Sequence, residues 1–138
     1  LGVEILTENL FAMNDLLTGK IIAAAYKVYN SLGFGFLEKV YENALVIELR
    51  KNPLAVSQQI PLTVIYDEQV VGDYAADLMV ENEVIVEIKS IVKLTTKHEA
   101  QLVNYLTATK NDIGLLINFG PEGVEVKRKY RVYRPKAD

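Results

Sequence analysis

Cysteine is absent from the 138 residues, which excludes a disulfide framework and any Cys-based zinc site. Long apolar runs are missing too. The longest stretches, such as Ile21-Ile22-Ala23-Ala24-Ala25, fall far short of the roughly 20 residues needed to span a bilayer. The opening segment LGVEILTENL lacks the basic start and apolar run of a signal peptide. A strongly basic balance is also lacking: the net charge is −3 and the pI near 5.3, which argues against a non-specific nucleic-acid coat. Together these absences predict a soluble cytoplasmic domain with no membrane partner.

What is present points to one domain. Half of the residues are hydrophobic, enough for one well-filled core and too little for two. Charge is unevenly spread. Lys127, Arg128, Lys129, Arg131, Arg134 and Lys136 face a single acid, Asp138, so residues 127–138 carry +5 and the rest −8. Such a segment is either a solvated edge strand and tail or a strip that contacts phosphates.

The hydrophobic period divides the chain. Leu17, Ile21, Ala24, Ala25, Val28 and Leu32 recur at helical spacing and predict a helix over 14–32, closed by Gly33 and Gly35. A second helix is expected over 37–51, with Leu37, Val40, Ala44 and Ile47 as its buried stripe, stopped at Asn52-Pro53. Val56–Tyr66, Val70–Val80 and Val84–Lys89 are rich in β-branched and aromatic residues, parted by turns at 67–69 and 81–83. Thr96 and Glu99 read as a capping box opening a helix over 97–109. Ile113–Phe119 is almost uniformly apolar, as a buried strand would be, and Gly123–Tyr133 alternates like a solvated edge. The order α-α-β-β-β-α-β-β predicts an α/β domain, a mixed sheet flanked by helices.

Three charged residues stand out in this frame. Glu87 and Lys89 are two apart in a strand and share a face, while Val86 and Ile88 point to the apolar side. A three-residue turn at 81–83, or a bulge, sets Asp77 opposite Glu87. Two carboxylates so close raise each other's pKa unless a cation sits between them, and hard carboxylate oxygens suit Mg²⁺ or Mn²⁺. Slow phosphate-ester hydrolysis can require barrier lowering on the order of 20 kcal/mol, which a divalent ion can supply and a basic surface alone cannot. The bland alternative is a solvated strand face, and Glu125-Val126-Lys127 repeats the triplet. The copy at 87–89 differs because it lies inside VIVEIKSIV, where solvated charges do not belong.

Asp77, Glu87-Ile88-Lys89 and the later Gln101-Leu-Val-Asn-Tyr105 resemble the PD-(D/E)XK nuclease superfamily in its RecB-like branch. Gly35-Phe-Leu-Glu38-Lys-Val-Tyr41, HEAQLVNYL at 98–106 and INFG at 117–120 resemble the GxxExxY proteins within it, over about residues 21–128. The resemblance implies a restriction-endonuclease-like core in which Asp77, Glu87 and the Ile88 carbonyl bind Mg²⁺ or Mn²⁺. It also implies that Lys89 is the catalytic lysine and Glu38 an additional acid near the metal; on spacing alone Glu38 is equally a surface glutamate. Gln101 and Tyr105 share a helix face with His98, either touching the scissile phosphate and Lys89 or forming a half-buried polar seam. Tyr29, Phe34 and Ala75 stand where the family pattern has histidine, proline and arginine.

The function expected is metal-dependent hydrolysis of nucleic-acid phosphodiesters, with DNA ahead of RNA as substrate and a homodimer as the assembly. The competing readings are a nuclease-fold module that binds without cutting and a structural or oligomeric accessory protein.

Overall fold

A computed structural model describes the backbone of residues 2–131 and the side chains of residues 15–131. The elements are α1 (Gly2–Leu32), α2 (Glu38–Arg50), β1 (Val56–Tyr66), β2 (Gln69–Val80), β3 (Val84–Lys89), α3 (Thr96–Thr109), β4 (Ile113–Gly120) and β5 (Gly123–Tyr130). The expected order holds throughout. α1 starts earlier than its apolar stripe, since nothing between Gly2 and Asp15 breaks a helix. Tyr133, Arg134 and Lys136 lie outside the described residues.

The five strands form one sheet in the order β1-β2-β3-β4-β5. All neighbours are antiparallel except β3 and β4, which run parallel with α3 as their crossover. α1 and α2 cover one face, where Ile21, Ala25, Tyr41, Leu45, Val86, Ile88 and Phe119 pack. α3 covers the other with Leu102 and Leu106 against Ile85, Leu116 and Leu62. Gly114 lets α3 approach closely: a Cβ there would lie 2.9 Å from Leu102 Cδ1 and 3.3 Å from the Ile85 carbonyl oxygen.

Two sequence expectations need correction. α2 buries Tyr41, Leu45 and Leu49 with Glu42 and Val46, whereas Leu37 is 80%, Ile47 60% and Val40 38% exposed. Both stripes have helical spacing one residue apart. The aromatic ring of Tyr41, stacked on Phe119 at 4.4 Å, decides between them. The cap of α3 is likewise one residue early: Thr95 N–H donates to His98 Nδ1 at 3.0 Å, so His98 occupies the place assigned to Glu99. Glu99 instead pairs with Lys129 at 3.0 Å.

Candidate functional site

β2 and β3 are joined by the three-residue turn 81–83, with Glu81 and Asn82 both in the left-handed region. The ladder from Val80↔Val84 through Leu78↔Val86 then stops. The next pair in that register is Asp77 and Glu87, where side chains replace backbone partners. Asp77 N–H donates to Glu87 Oε1 at 3.1 Å. Ile88 N–H donates to Asp77 Oδ2 at 2.7 Å. Each carboxylate thus satisfies a backbone donor that the broken ladder leaves over, as buried N–H groups require.

The strand faces also slip here. Leu78 and Val80 pack on the α1/α2 side, yet Ala76, two residues from Leu78, packs on the α3 side. Across on β1, Gln58 pairs with Leu78 and Ile60 with Ala76, and Gln59 between them has φ +54°. This left-handed residue stands opposite Asp77, which therefore sits at the point where the strand changes faces, between Ala76 and Leu78.

Electrostatics record the crowding. Burial first, and then the charge of Asp77, push Glu87 up to about 8. Burial also raises Asp77, aided by Glu42 and Glu38 and opposed by the Ile88 hydrogen bond. Lys89, on the same face as Glu87 and half-buried, is the nearby charge that lowers Glu87. The Ile88 side chain is buried in the α1/α2 core, so only its backbone belongs to the site.

Glu38 begins α2 and accepts Ser90 N–H at 3.4 Å, one residue beyond Lys89. Its loop is fixed by Tyr41, whose hydroxyl donates to the Gly33 carbonyl and accepts Phe36 N–H at 3.3 Å, and by Ser90 Oγ donating to the Phe36 carbonyl at 2.8 Å. On the other flank Asn118, fully buried and opposite Lys89 in register, holds Ile91 through both its N–H and its carbonyl at 2.9 Å. Tyr105 is half-buried, and burial and then the charge of Glu87 raise its pKa, so its hydroxyl stands within electrostatic reach of the carboxylates. Gln101 is exposed on the same helix face. His98 lines the same groove as Gln101 and Tyr105, with its Nδ1 taken up by the α3 cap.

Two residues escaped sequence reasoning. Glu42, one helical turn after Glu38, is 3% exposed and gathers Lys39, Gln58 and Gln59 at 3.1, 2.7 and 3.0 Å. Gln59 also bonds toward Asp77 and lowers it. Only the i,i+4 spacing from Glu38 pointed to Glu42, and nothing local pointed to Gln59. The twin triplet has a structural role: Glu125 accepts Leu94 N–H at 3.2 Å and Asn118 Nδ2 at 3.1 Å. Within the described part of the basic segment Arg128 pairs with Asp15 at 3.4 Å, Lys129 with Glu99 and Arg131 with Asp112 at 2.7 Å. Tyr29 donates to the Gly120 carbonyl at 2.7 Å, tying α1 to the end of β4. Phe34 is 44% exposed and Ala75 is also exposed, contributing no charge.

Among the described residues, no three carboxylate or imidazole groups are gathered into a ready-made ion cage. Asp77 and Glu87 each use one oxygen on a backbone donor. Their second oxygens are hard donors of the type a small divalent ion takes, and Glu38 lies near enough for its charge to raise both carboxyls.

Residues 15–129 match the PD-(D/E)XK nuclease superfamily. The chain belongs to that superfamily, whose members generally use divalent metals such as Mg²⁺ or Mn²⁺. The solved structure titled "Crystal structure of SSO0001" is similar over 70% of this chain and 50% of its own, with a TM-score of 0.56 and 16% identity. That likeness is one of fold, and the chain spans half the length of that structure. Comparison with curated proteins finds no match. No helix among the described residues is long and apolar enough to cross a membrane.

Proposed function

We propose that this domain is a divalent-metal-dependent nuclease hydrolysing phosphodiester bonds of nucleic acid, with DNA ahead of RNA. One observation carries the reading. Two carboxylates are crowded and desolvated where a sheet ladder breaks, with Lys89 on the same face. Burying like charges is costly unless a cation compensates. Asp77 and Glu87 are the metal ligands in this reading, with the Ile88 carbonyl and Glu38 completing the set. A bound Mg²⁺ or Mn²⁺ supplies charge neutralisation at the phosphate and a more acidic water.

The chain's own residues do the rest. Lys89 orients the attacking water and offsets charge developing on the phosphate oxygens. Asn118 and Glu38 hold the segment that follows Lys89 through Ile91 and Ser90. Tyr105 and Gln101 border the site from α3 and contact the phosphate. Hydrolysis adds water across the phosphodiester: its oxygen bonds to phosphorus, the bond to the leaving oxygen breaks, and one proton passes to that oxygen.

The Gly35–Tyr41 motif supports placement among the GxxExxY proteins, and the Gln101–Tyr105 spacing supports the RecB-like branch. The cytoplasm is the expected location for such a nuclease. Ala75, where an arginine is expected, favours a second reading, a module that binds without cutting.

The test incubates wild type, Asp77→Asn and Lys89→Ala with single- and double-stranded DNA and RNA in Mg²⁺ or Mn²⁺, with chelator controls. Cutting by wild type alone, and only with metal, supports the nuclease. Binding without cutting by any of them supports the module.

A further inference from the structure

The distal half of the β1–β2 hairpin extends beyond the short pairing with β3, which involves only residues 78–80 of β2. A groove of about 920 Å³ lies between this arm and α3. Leu62 and Tyr74 line it from the arm, and Lys97, Gln101, Asn104 and Tyr105 line it from the helix. Its walls are largely apolar, yet two tyrosines, two carboxamides and a lysine open into it. Tyr74 is 49% exposed, and its ring centroid is 6.0 Å from that of Tyr105 with the planes at 42°. Gly72 makes room for the ring, since a Cβ there would lie 2.8 Å from Tyr74 Cε2.

Charge narrows the choice of occupant. The chain has 18 acidic residues, yet none lines this groove, whereas Lys97 does. Among the described residues Lys97 has no ion-pair partner. An anionic occupant is therefore favoured over an apolar or basic peptide. The occupant must also use aromatic faces, which bases offer only outside a duplex. Tyr105 lines the groove and feels the charges of Glu87 and Asp77, and Tyr74 lies three residues before Asp77 on the same strand.

We infer that this groove binds an unpaired nucleic-acid strand, its bases packed on Tyr74 and Tyr105 and its backbone led from Lys97 toward Asp77 and Glu87. Gln101 and Asn104 offer donors and acceptors to base edges, while Leu62 and its neighbours exclude water beneath the rings. The inference rests on the nuclease reading and gives it a substrate class, single-stranded DNA or RNA or a frayed end. Duplex DNA enters only where it opens.

Binding and cutting are tested separately. In the Lys89→Ala background with Mn²⁺, fluorescence anisotropy compares labelled oligo(dT), an abasic single strand of equal length and a matched duplex. Oligo(dT) should bind at least about 10-fold tighter than the other two, given the usual worth of base–aromatic stacking. Adding Tyr74→Ala should weaken oligo(dT) by about 10-fold and leave the abasic strand unchanged, while Tyr74→Phe should retain binding. Unchanged Mn²⁺ affinity and circular dichroism show that the fold persists. Equal affinity for all three ligands, or indifference to Tyr74→Ala, overturns the proposal. So does a dimer that Tyr74→Ala dissociates, since a second copy would then fill the groove. Cutting by the Lys89-bearing chain reports on the nuclease reading independently. Duplex cleavage unaffected by Tyr74→Ala would sink the groove and spare the nuclease; Tyr74-dependent strand binding without cleavage would do the reverse.

Discussion

Replacing Glu87 by glutamine should stabilise the metal-free protein at alkaline pH. Glutamine keeps the shape and the oxygen that accepts Asp77 N–H, and removes the charge that burial and Asp77 disfavour. Between its ordinary 4.5 and about 8, folded Glu87 holds a proton that the unfolded chain has released. Stability therefore falls as pH rises through that window, and Asp77, also raised, adds to the same slope. The shift from 4.5 to about 8 corresponds to a ceiling of about 5 kcal/mol. Water entry and side-chain relaxation on ionisation reduce this, leaving an expected gain on the order of 2 kcal/mol for Glu87→Gln at pH near 9. Urea unfolding of both proteins in chelator from pH 5 to 9 measures it. The curves should nearly meet at the acid end and diverge toward the alkaline end, and Mn²⁺ should restore the wild type alone. A Glu87→Gln protein less stable than wild type at pH 9 without metal would refute the reasoning, because the carboxylate would then be stabilising the fold unaided.

Asn118→Ala leaves the Ile91 N–H and carbonyl without partners and should cost on the order of 2 kcal/mol by urea unfolding. It should also lower the cleavage rate by loosening the segment after Lys89. Gly114→Ala forces a methyl against Leu102 and the Ile85 carbonyl and should cost about 1–3 kcal/mol in the same assay. A homodimer is expected; light scattering at micromolar concentrations should return twice the chain mass, and a monomer throughout removes that assembly.

The fold was legible where periodicity and punctuation agreed. β1 and β3 fall on their expected bounds, since β-branched runs and the turns at 67–69 and 81–83 leave no other parsing. α1 was right in its buried face because Ile21, Ala25 and Val28 have no rival stripe. α2 had two stripes, and only the long-range stack of Tyr41 on Phe119 chooses between them. The candidate site divides in the same way. Glu87 and Lys89 share a face by strand geometry alone, and the register of Asp77 follows from the turn length. Glu42 and Gln59 are not legible because their contact depends on the left-handed backbone that Gln59 adopts on β1, a strand distant in sequence from α2. The α3 cap falls at Thr95 and His98 rather than Thr96 and Glu99 because two threonines stand in a row and either can begin the helix. The two Glu-x-Lys triplets separate through Asn118, which engages Glu125 as a structural acceptor.

The central claim is that Asp77 and Glu87 hold a divalent ion. Calorimetric titration of Mn²⁺ into wild type and Asp77→Asn near neutral pH, repeated in buffers of different ionisation heat, tests it most directly. Wild type should bind with release of the proton that Glu87 carries, and Asp77→Asn should show no binding while remaining folded. Equal binding by the two proteins, or none by wild type at millimolar Mn²⁺, would contradict the account.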